Sequence, residues 1–262
     1  MKYQLVAIDV DGTLLDEEHR LLEENKAALQ MVLEKGGKVV LCSGRGYWAL
    51  QDLIQTLGIK NAVITQNGSQ ITDYTGENIL HEEMISVENC RKILEYCVKN
   101  GYHPLIYQKD NVYGDLQDRY LEIFERCMNQ KVIYTEDIEQ TYAQIPLGKI
   151  LVLDEPKRIL QIQNWMMEQF RGQLLAELAY DFSLEIGGSD KGKALKWLAG
   201  HYQIPRENIL AIGDGENDKG MLQYAGFGVA MGSAMPGVKA VADAVTLSNN
   251  ESGVAEAIRR YM

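Results

Sequence analysis

Both ends of the chain repeat one rhythm, a short apolar strand followed by an amphipathic helix, and that alternation restricts the fold more than any other feature. Residues 5–10 form a continuous apolar run, the pattern of a strand buried on both faces of a parallel sheet. Residues 21–35 carry Leu22, Leu29, Val32 and Leu33 at helical spacing and stop at Gly36-Gly37. A second strand is predicted over 38–42, a helix over 47–57 ending at Gly58, and a third strand over 62–65. Asn67-Gly68 and Thr75-Gly76 mark the turns of a small hairpin. The last third resumes the alternation, with helices over 193–201, 218–224 and 253–261 and strands over 209–212 and 228–231. Such repetition predicts an α/β fold, a Rossmann-like doubly wound parallel sheet with helices on both faces.

The rhythm breaks over 84–184. This segment holds 8 of the 14 tyrosines and less regular helical patterns over 87–99, 116–128 and 157–170. It reads as a second domain inserted into the first, which leaves a discontinuous core of 1–83 and 185–262. His103, Tyr107, Tyr113 and Arg119 lie there in polar, turn-rich stretches. A pocket for a sugar ring or a flat cofactor is one use for so many tyrosines, and packing within the insert is the favoured one.

With 46% hydrophobic and 24% charged residues, the 262-residue chain has the composition of an ordinary globular protein. Its formal net charge of −11 repels a nucleic-acid backbone, so no nucleic-acid partner is expected. No apolar stretch reaches the ~18–20 residues of a membrane span. The N-terminus reads as a strand rather than a secretory signal, which predicts a cytoplasmic protein without a membrane partner. Cys42, Cys90, Cys97 and Cys127 form no C-x-x-C pair and read as four reduced thiols.

Chemistry concentrates at the predicted strand ends. In Asp9-Val10-Asp11-Gly12-Thr13, two carboxylates at i and i+2 of an extended chain point the same way. They face the crevice where open α/β sheets bind ligands. Two like charges there repel by about 4 kcal/mol at 4 Å and an effective dielectric of 20, so a hard cation or a shared proton must relieve them. Gly213-Asp214-Gly215-Glu216-Asn217-Asp218 brings more carboxylates to a second strand end. Neither stretch fits a helix–loop–helix calcium site: Leu14 and Lys219 stand where that loop needs Gly, and Arg20 and Ala225 where it needs Glu. Convergent carboxylates without thiols or imidazoles suit Mg²⁺. Ser43-Gly44-Arg45 offers a hydroxyl and backbone N–H groups at a strand-to-helix turn, an anion cradle that taken alone is as readily a helix cap. Ser189-Asp190-Lys191-Gly192-Lys193 precedes a helix, and Lys191 is either a solvated surface lysine or the fixed cation that such an acidic site requires to hold a phosphate.

In this order the motifs resemble the haloacid dehalogenase superfamily: D-x-D-G-T-L, S-G-R, a K-G pair opening a helix, and G-D-x-x-N-D-x-x-M-L. The cap between the second and third motifs is similar to that of the C2-capped, Cof-type phosphatases. The resemblance spans essentially the whole chain, including Asn67-Gly68 and Ala230-Met231-Gly232. It implies that Asp9 is a nucleophile forming an aspartyl-phosphate and Asp11 the general acid and base. It further implies Mg²⁺ held by the Asp9 side chain, the Asp11 backbone carbonyl and Asp214, with Asp218 in support. Ser43, the Val10 and Gly44 amides, Lys191 and Asn217 would bind the phosphoryl oxygens. The chain makes two departures from the family's habits: Cys42 precedes the Ser-Gly-Arg step where a small residue is usual, and Lys219-Gly220 follows Asp218. Asp11 argues for phosphate esters, since dehalogenases generally lack a second Asp. The expected activity is Mg²⁺-dependent hydrolysis of a small phosphorylated metabolite, a sugar phosphate first, or a phosphorylated cofactor such as pyridoxal phosphate or flavin mononucleotide. A sugar phosphomutase and a non-catalytic phospho-ligand sensor are the alternatives. A monomer or a homodimer fits equally.

Overall fold

A computed structural model of the chain describes residues 2–108, 111–128 and 131–262, with the side chains of 127, 128, 179 and 180 outside that set. The chain divides into two compact units, Met1–His81 with Asp190–Met262, and Glu82–Ser189. The first begins with β1 (Leu5–Ile8), α1 (Glu23–Glu34), β2 (Lys38–Leu41), α2 (Gln51–Leu57), β3 (Val63–Thr65), β4 (Gln70–Thr72) and β5 (Ile79–Glu82). The insert contributes α3 (Val87–Lys99), β6 (Pro104–Gln108), β7 (Asn111–Gly114), α4 (Arg119–Met128), β8 (Val132–Tyr134) and α5 (Ile138–Tyr142). It continues with β9 (Lys149–Leu153), α6 (Pro156–Phe170), β10 (Leu175–Tyr180) and β11 (Ser183–Gly187). The first unit resumes with α7 (Lys191–His201), β12 (Ile209–Gly213), α8 (Lys219–Tyr224), β13 (Phe227–Ala230), α9 (Pro236–Lys239), β14 (Ala244–Val245) and α10 (Gly253–Tyr261).

In the first unit five parallel strands lie in the order β14-β13-β12-β1-β2. Successive strand residues point to opposite faces, yet Leu5, Val6, Ala7 and Ile8 are all fully buried, so both faces of the sheet are covered. Helix α1 packs with α10, and α7 with α8. Acidic Glu23 and Glu24 suit the α1 N-terminus, and Gly58 in the left-handed region closes α2. The register Ile8↔Leu41 and Ile8↔Ile212 brings the loops after β1, β2 and β12 to one edge of the sheet. Strand β1 runs on to β2 on one side and pairs with β12 on the other, which makes this edge a topological switch point. Strands β3, β4 and β5 form a separate sheet in that order, β3 antiparallel to β4, tied to the end of β2 by a bridge from Cys42 to Ile64.

The insert has its own core. Its six strands run in the order β10-β11-β9-β6-β7-β8, antiparallel except for β7 with β8. Cys90, Ile93, Leu94 and Cys97 of α3 and Ile159, Ile162, Met166 and Phe170 of α6 supply the buried helical stripes. They join Ile106, Ile150, Val152, Leu184 and Ile186 from the sheet in one cluster. The boundaries fall a few residues outside 84 and 184, because β11 pairs on both sides with insert strands. Packing occupies most of the described tyrosines: Tyr102, Tyr107 and Tyr142 are buried, and Tyr96 stacks on Trp165 at 3.7 Å. His103 meets Asp115 at 3.0 Å, Tyr113 lies against Tyr142, and Arg119 donates to the Tyr120 hydroxyl. Cys42, Cys90 and Cys97 are buried free thiols, and the Cys127 side chain lies outside the described residues. Among the described residues no helix is long and apolar enough to cross a membrane.

Candidate active site

The loops at the switch point carry the chemistry-bearing motifs. Asp9 follows β1 directly, and its backbone N–H donates to Ile212 of β12, which fixes it between the two strands. Gly12 has φ +80°, and a Cβ there would lie 2.5 Å from Asp214 Oδ2, so only glycine lets the two loops approach this closely. Thr13 closes the approach by donating its hydroxyl to Asp214 Oδ1 at 2.6 Å.

Lys191 is the first residue of α7 and is fully buried. A cation at a helix N-terminus opposes the helix dipole, so its charge must be met elsewhere. Its Nζ donates to Asp9 Oδ1 and to Asp218 Oδ1, both at 2.6 Å. The other Asp218 oxygen accepts the backbone N–H groups of Asp214 and Gly215, each at 2.9 Å. Asp218 thus accepts three hydrogen bonds and acts as an internal brace. One carboxylate oxygen from each of Asp9, Asp214 and Asp218 lies within 4.8 Å of the others.

This crowding perturbs the charges. Burial first, then the Asp218 charge, raises the Asp9 pKa well above the ordinary carboxyl value, with Lys191 opposing. Burial and Asp218 push Asp214 up to about 6, against the hydrogen bond from Thr13. For Lys191 burial disfavours the charge, but Asp218 and Asp9 outweigh it and hold the ammonium protonated. Cys42, beneath these groups, is pushed up to about 12 by burial and is an inert core thiol.

The loop after β2 stands beside Asp11. Arg45 donates from Nε to Asp11 Oδ2 at 2.8 Å and from Nη2 to Oδ1 at 2.6 Å. Ser43 Oγ accepts the Arg45 backbone N–H, and Ser43 itself is buried. The turn Gln66–Gly68 packs onto this loop: Gln66 N–H donates to Arg45 O, and Asn67 N–H to Ser43 O. Gln66 and Asn67 both adopt positive φ, and Asn67 Oδ1 accepts the Asn217 amide at 3.0 Å.

A profile of the haloacid dehalogenase-like hydrolases matches residues 6–258. The chain belongs to the haloacid dehalogenase-like hydrolases. It is 32% identical to phosphatase YwpJ of Bacillus subtilis, over 99% of this chain and 100% of that one. It is 29% identical to pyridoxal phosphate phosphatase YbhA of Escherichia coli, with both chains covered completely. The crystal structure of a haloacid dehalogenase-like hydrolase from Bacteroides thetaiotaomicron superposes with a TM-score of 0.88 at 28% identity, covering 100% of both chains. The protein is a phosphatase of this family.

Haloacid dehalogenase-like hydrolases generally use a divalent metal, and the donor set here fits one: three convergent carboxylates, two of them with raised pKa, and no competing thiolate or imidazole in the cluster. Sequence reasoning about this hydrolase placed Asp9, Asp11, Ser43, Gly44, Lys191, Asp214, Asn217 and Asp218 at one site, and the structure brings them to the same sheet edge. Three partners escaped it. Thr13, Arg45 and Asn67 stand inside quoted motifs, but the pairings to Asp214, Asp11 and Asn217 join residues 201, 34 and 150 positions apart. Lys219, a departure from the family pattern, is held on Glu216 at 2.5 Å. Gly220 belongs to the same departure: a Cβ on Gly192 would lie 2.5 Å from its backbone, so α7 and α8 touch there.

Proposed function

We propose that the protein is a Mg²⁺-dependent phosphomonoesterase acting on a small phosphorylated metabolite, with Asp9 as nucleophile. The observation that carries this reading is the buried Lys191, which holds one Asp9 oxygen at 2.6 Å and leaves the carboxylate fixed at the mouth of the switch point. Asp9 attacks phosphorus, the P–O bond to the leaving group breaks, and an aspartyl-phosphate forms. Asp11, on the same loop, gives the departing oxygen its proton and then takes one from the water that hydrolyses the intermediate. Ser43, the Val10 and Gly44 amides, Lys191 and Asn217 hold the phosphoryl oxygens while charge builds on them. Asp9, the Asp11 backbone carbonyl and Asp214, braced by Asp218, would hold Mg²⁺. That ion supplies neutralisation of the phosphoryl charge that an acidic pocket otherwise repels.

The substrate reading rests on relatives: a phosphatase of pyridoxal phosphate among them supports a small alkyl phosphate, whether a sugar phosphate or a phosphorylated cofactor. The test is phosphate release from p-nitrophenyl phosphate with Mg²⁺ and with chelator, for wild type and Asp9→Asn. Release that requires Mg²⁺ and disappears in Asp9→Asn is expected. Release that survives the substitution, with deamidation excluded by mass spectrometry, removes Asp9 as nucleophile. A panel of alkyl monoesters, pyridoxal phosphate included, then ranks substrates.

A further inference from the structure

We infer that Arg45 is a positioning residue for the reaction: its guanidinium fork sets the orientation in which the Asp11 carboxyl group, as acid, meets the leaving oxygen and, as base, the attacking water. The inference rests on the acid–base role proposed for Asp11. Asp11 sits on a turn ahead of Gly12, and its side chain is partly exposed, so the loop alone does not fix the carboxylate plane. Arg45 does. Its two nitrogens meet the two carboxylate oxygens at 2.8 and 2.6 Å, a planar pairing that specifies angle as well as distance.

The fork is itself anchored. The Arg45 N–H is taken by Ser43 Oγ at 3.1 Å, and its carbonyl receives Gln66 N–H at 2.9 Å. Gln66 and Asn67 hold positive φ in the turn that makes this contact, a conformation Asn adopts readily but Gln rarely. Gly68 completes the turn at φ +97°, and a Cβ there would lie 2.4 Å from Asp190 O, immediately before Lys191. One set of backbone contacts thus ties the Arg45 fork to the phosphate cradle and to the start of α7. His19 Nδ1, half-exposed and 3.5 Å from Asp11 Oδ1, offers that carboxylate a single contact without a plane.

The test compares an ester that needs leaving-group protonation with one that does not. Wild type, Arg45→Lys, Arg45→Met, Asp11→Asn and the Asp11→Asn/Arg45→Met double variant are assayed on p-nitrophenyl phosphate and on the best alkyl monoester of the panel. Misplacing a catalytic group by an ångström costs about a hundredfold. Arg45→Met should therefore lower kcat/KM, which covers the steps through leaving-group departure and not hydrolysis of the intermediate, by about that factor on the alkyl ester and far less on p-nitrophenyl phosphate. Arg45→Lys, which keeps the charge but loses the fork, should fall between. In the Asp11→Asn background the Arg45→Met change should cost nothing more. Equal losses of kcat/KM on both esters, a rise in KM with kcat unchanged, or additive losses in the double variant would overturn the positioning role. If Asp11→Asn itself spares the alkyl ester, the acid–base reading fails, and the inference with it. Urea midpoints of each variant separate these effects from misfolding.

Discussion

At the scale of single residues, Lys191 has the most to lose. It is fully buried between Asp9 and Asp218, and removing one member of a buried ion cluster leaves the other charges uncompensated. Lys191→Met should destabilise the fold by about 3–5 kcal/mol, read as a lower urea midpoint, and abolish turnover. The loss should shrink in acid, where the stranded carboxylates take up protons; a loss independent of pH would contradict the pairing. Asp214 makes a second prediction. Its folded pKa of about 6 lies above the ordinary 3.8, so the folded state binds that proton more tightly than the unfolded chain. Its contribution is complete below the ordinary value and is lost as pH rises through about 6, on the order of 3 kcal/mol in the metal-free protein. The stability difference between wild type and Asp214→Asn, measured with chelator, should therefore fall across that window. A difference that rises would reverse the sign of the shift. Mg²⁺, which takes the unprotonated carboxylate, should stabilise the wild type most above that window. The carboxylates and Lys191 were legible because each sits in a short motif beside a predicted strand or helix end. Arg45 was not legible as the partner of Asp11, because the β1–β2 register that pairs their loops is a tertiary fact.

At the scale of elements, α7 contains a built-in comparison. Gly192 faces the backbone of Gly220, and a Cβ there would lie 2.5 Å from its carbonyl, whereas one on Gly200 would meet nothing within 4 Å. Gly192→Ala should push α7 off α8 and cost about 1–3 kcal/mol. Because α7 carries Lys191, phosphatase activity should fall as well. Gly200→Ala, on the same helix, should stabilise by about 0.5–1 kcal/mol and leave activity intact. Equal thermal shifts in the two variants would remove the helix contact as the cause. The three longer helices of the insert were readable from their stripes, and α3 falls over 87–99 as the spacing predicted, whereas the short α5 was missed. The strands of the insert were not readable. Every residue of β9, Lys149–Leu153, is buried, so the alternation that betrays a half-buried strand is absent and the short apolar run is ambiguous. Lys149 adds to the concealment, since its charge is neutralised by Glu185 across the sheet.

At the scale of the whole molecule, the two units differ in how far the chain must travel to complete them. The insert Glu82–Ser189 closes its six-stranded sheet and its core within one continuous stretch. The other unit is assembled from both ends of the sequence: β1 lies between β2 and β12, and Leu5 pairs with Lys38 on one side and with Ile209 on the other. Its site inherits that division, since Asp9 and Asp11 come from one segment and Lys191, Asp214 and Asp218 from the other. A fragment of residues 1–81 would leave β1 with an open edge where β12 pairs and α1 without its partner α10, a state that aggregates rather than folds. A fragment of residues 82–189 lacks no strand of its own sheet. It should therefore show a cooperative urea transition, with a slope of about 1–3 kcal/mol/M, and native-like dispersion in its amide spectrum. It should release no phosphate, because none of the proposed catalytic or metal-binding residues lies within it. The 1–81 fragment should show neither transition nor activity alone, and co-expression with a 190–262 fragment is what should restore a folded partner. A cooperative transition in 1–81 by itself would mean that β1 needs β12 less than its central place in the sheet implies.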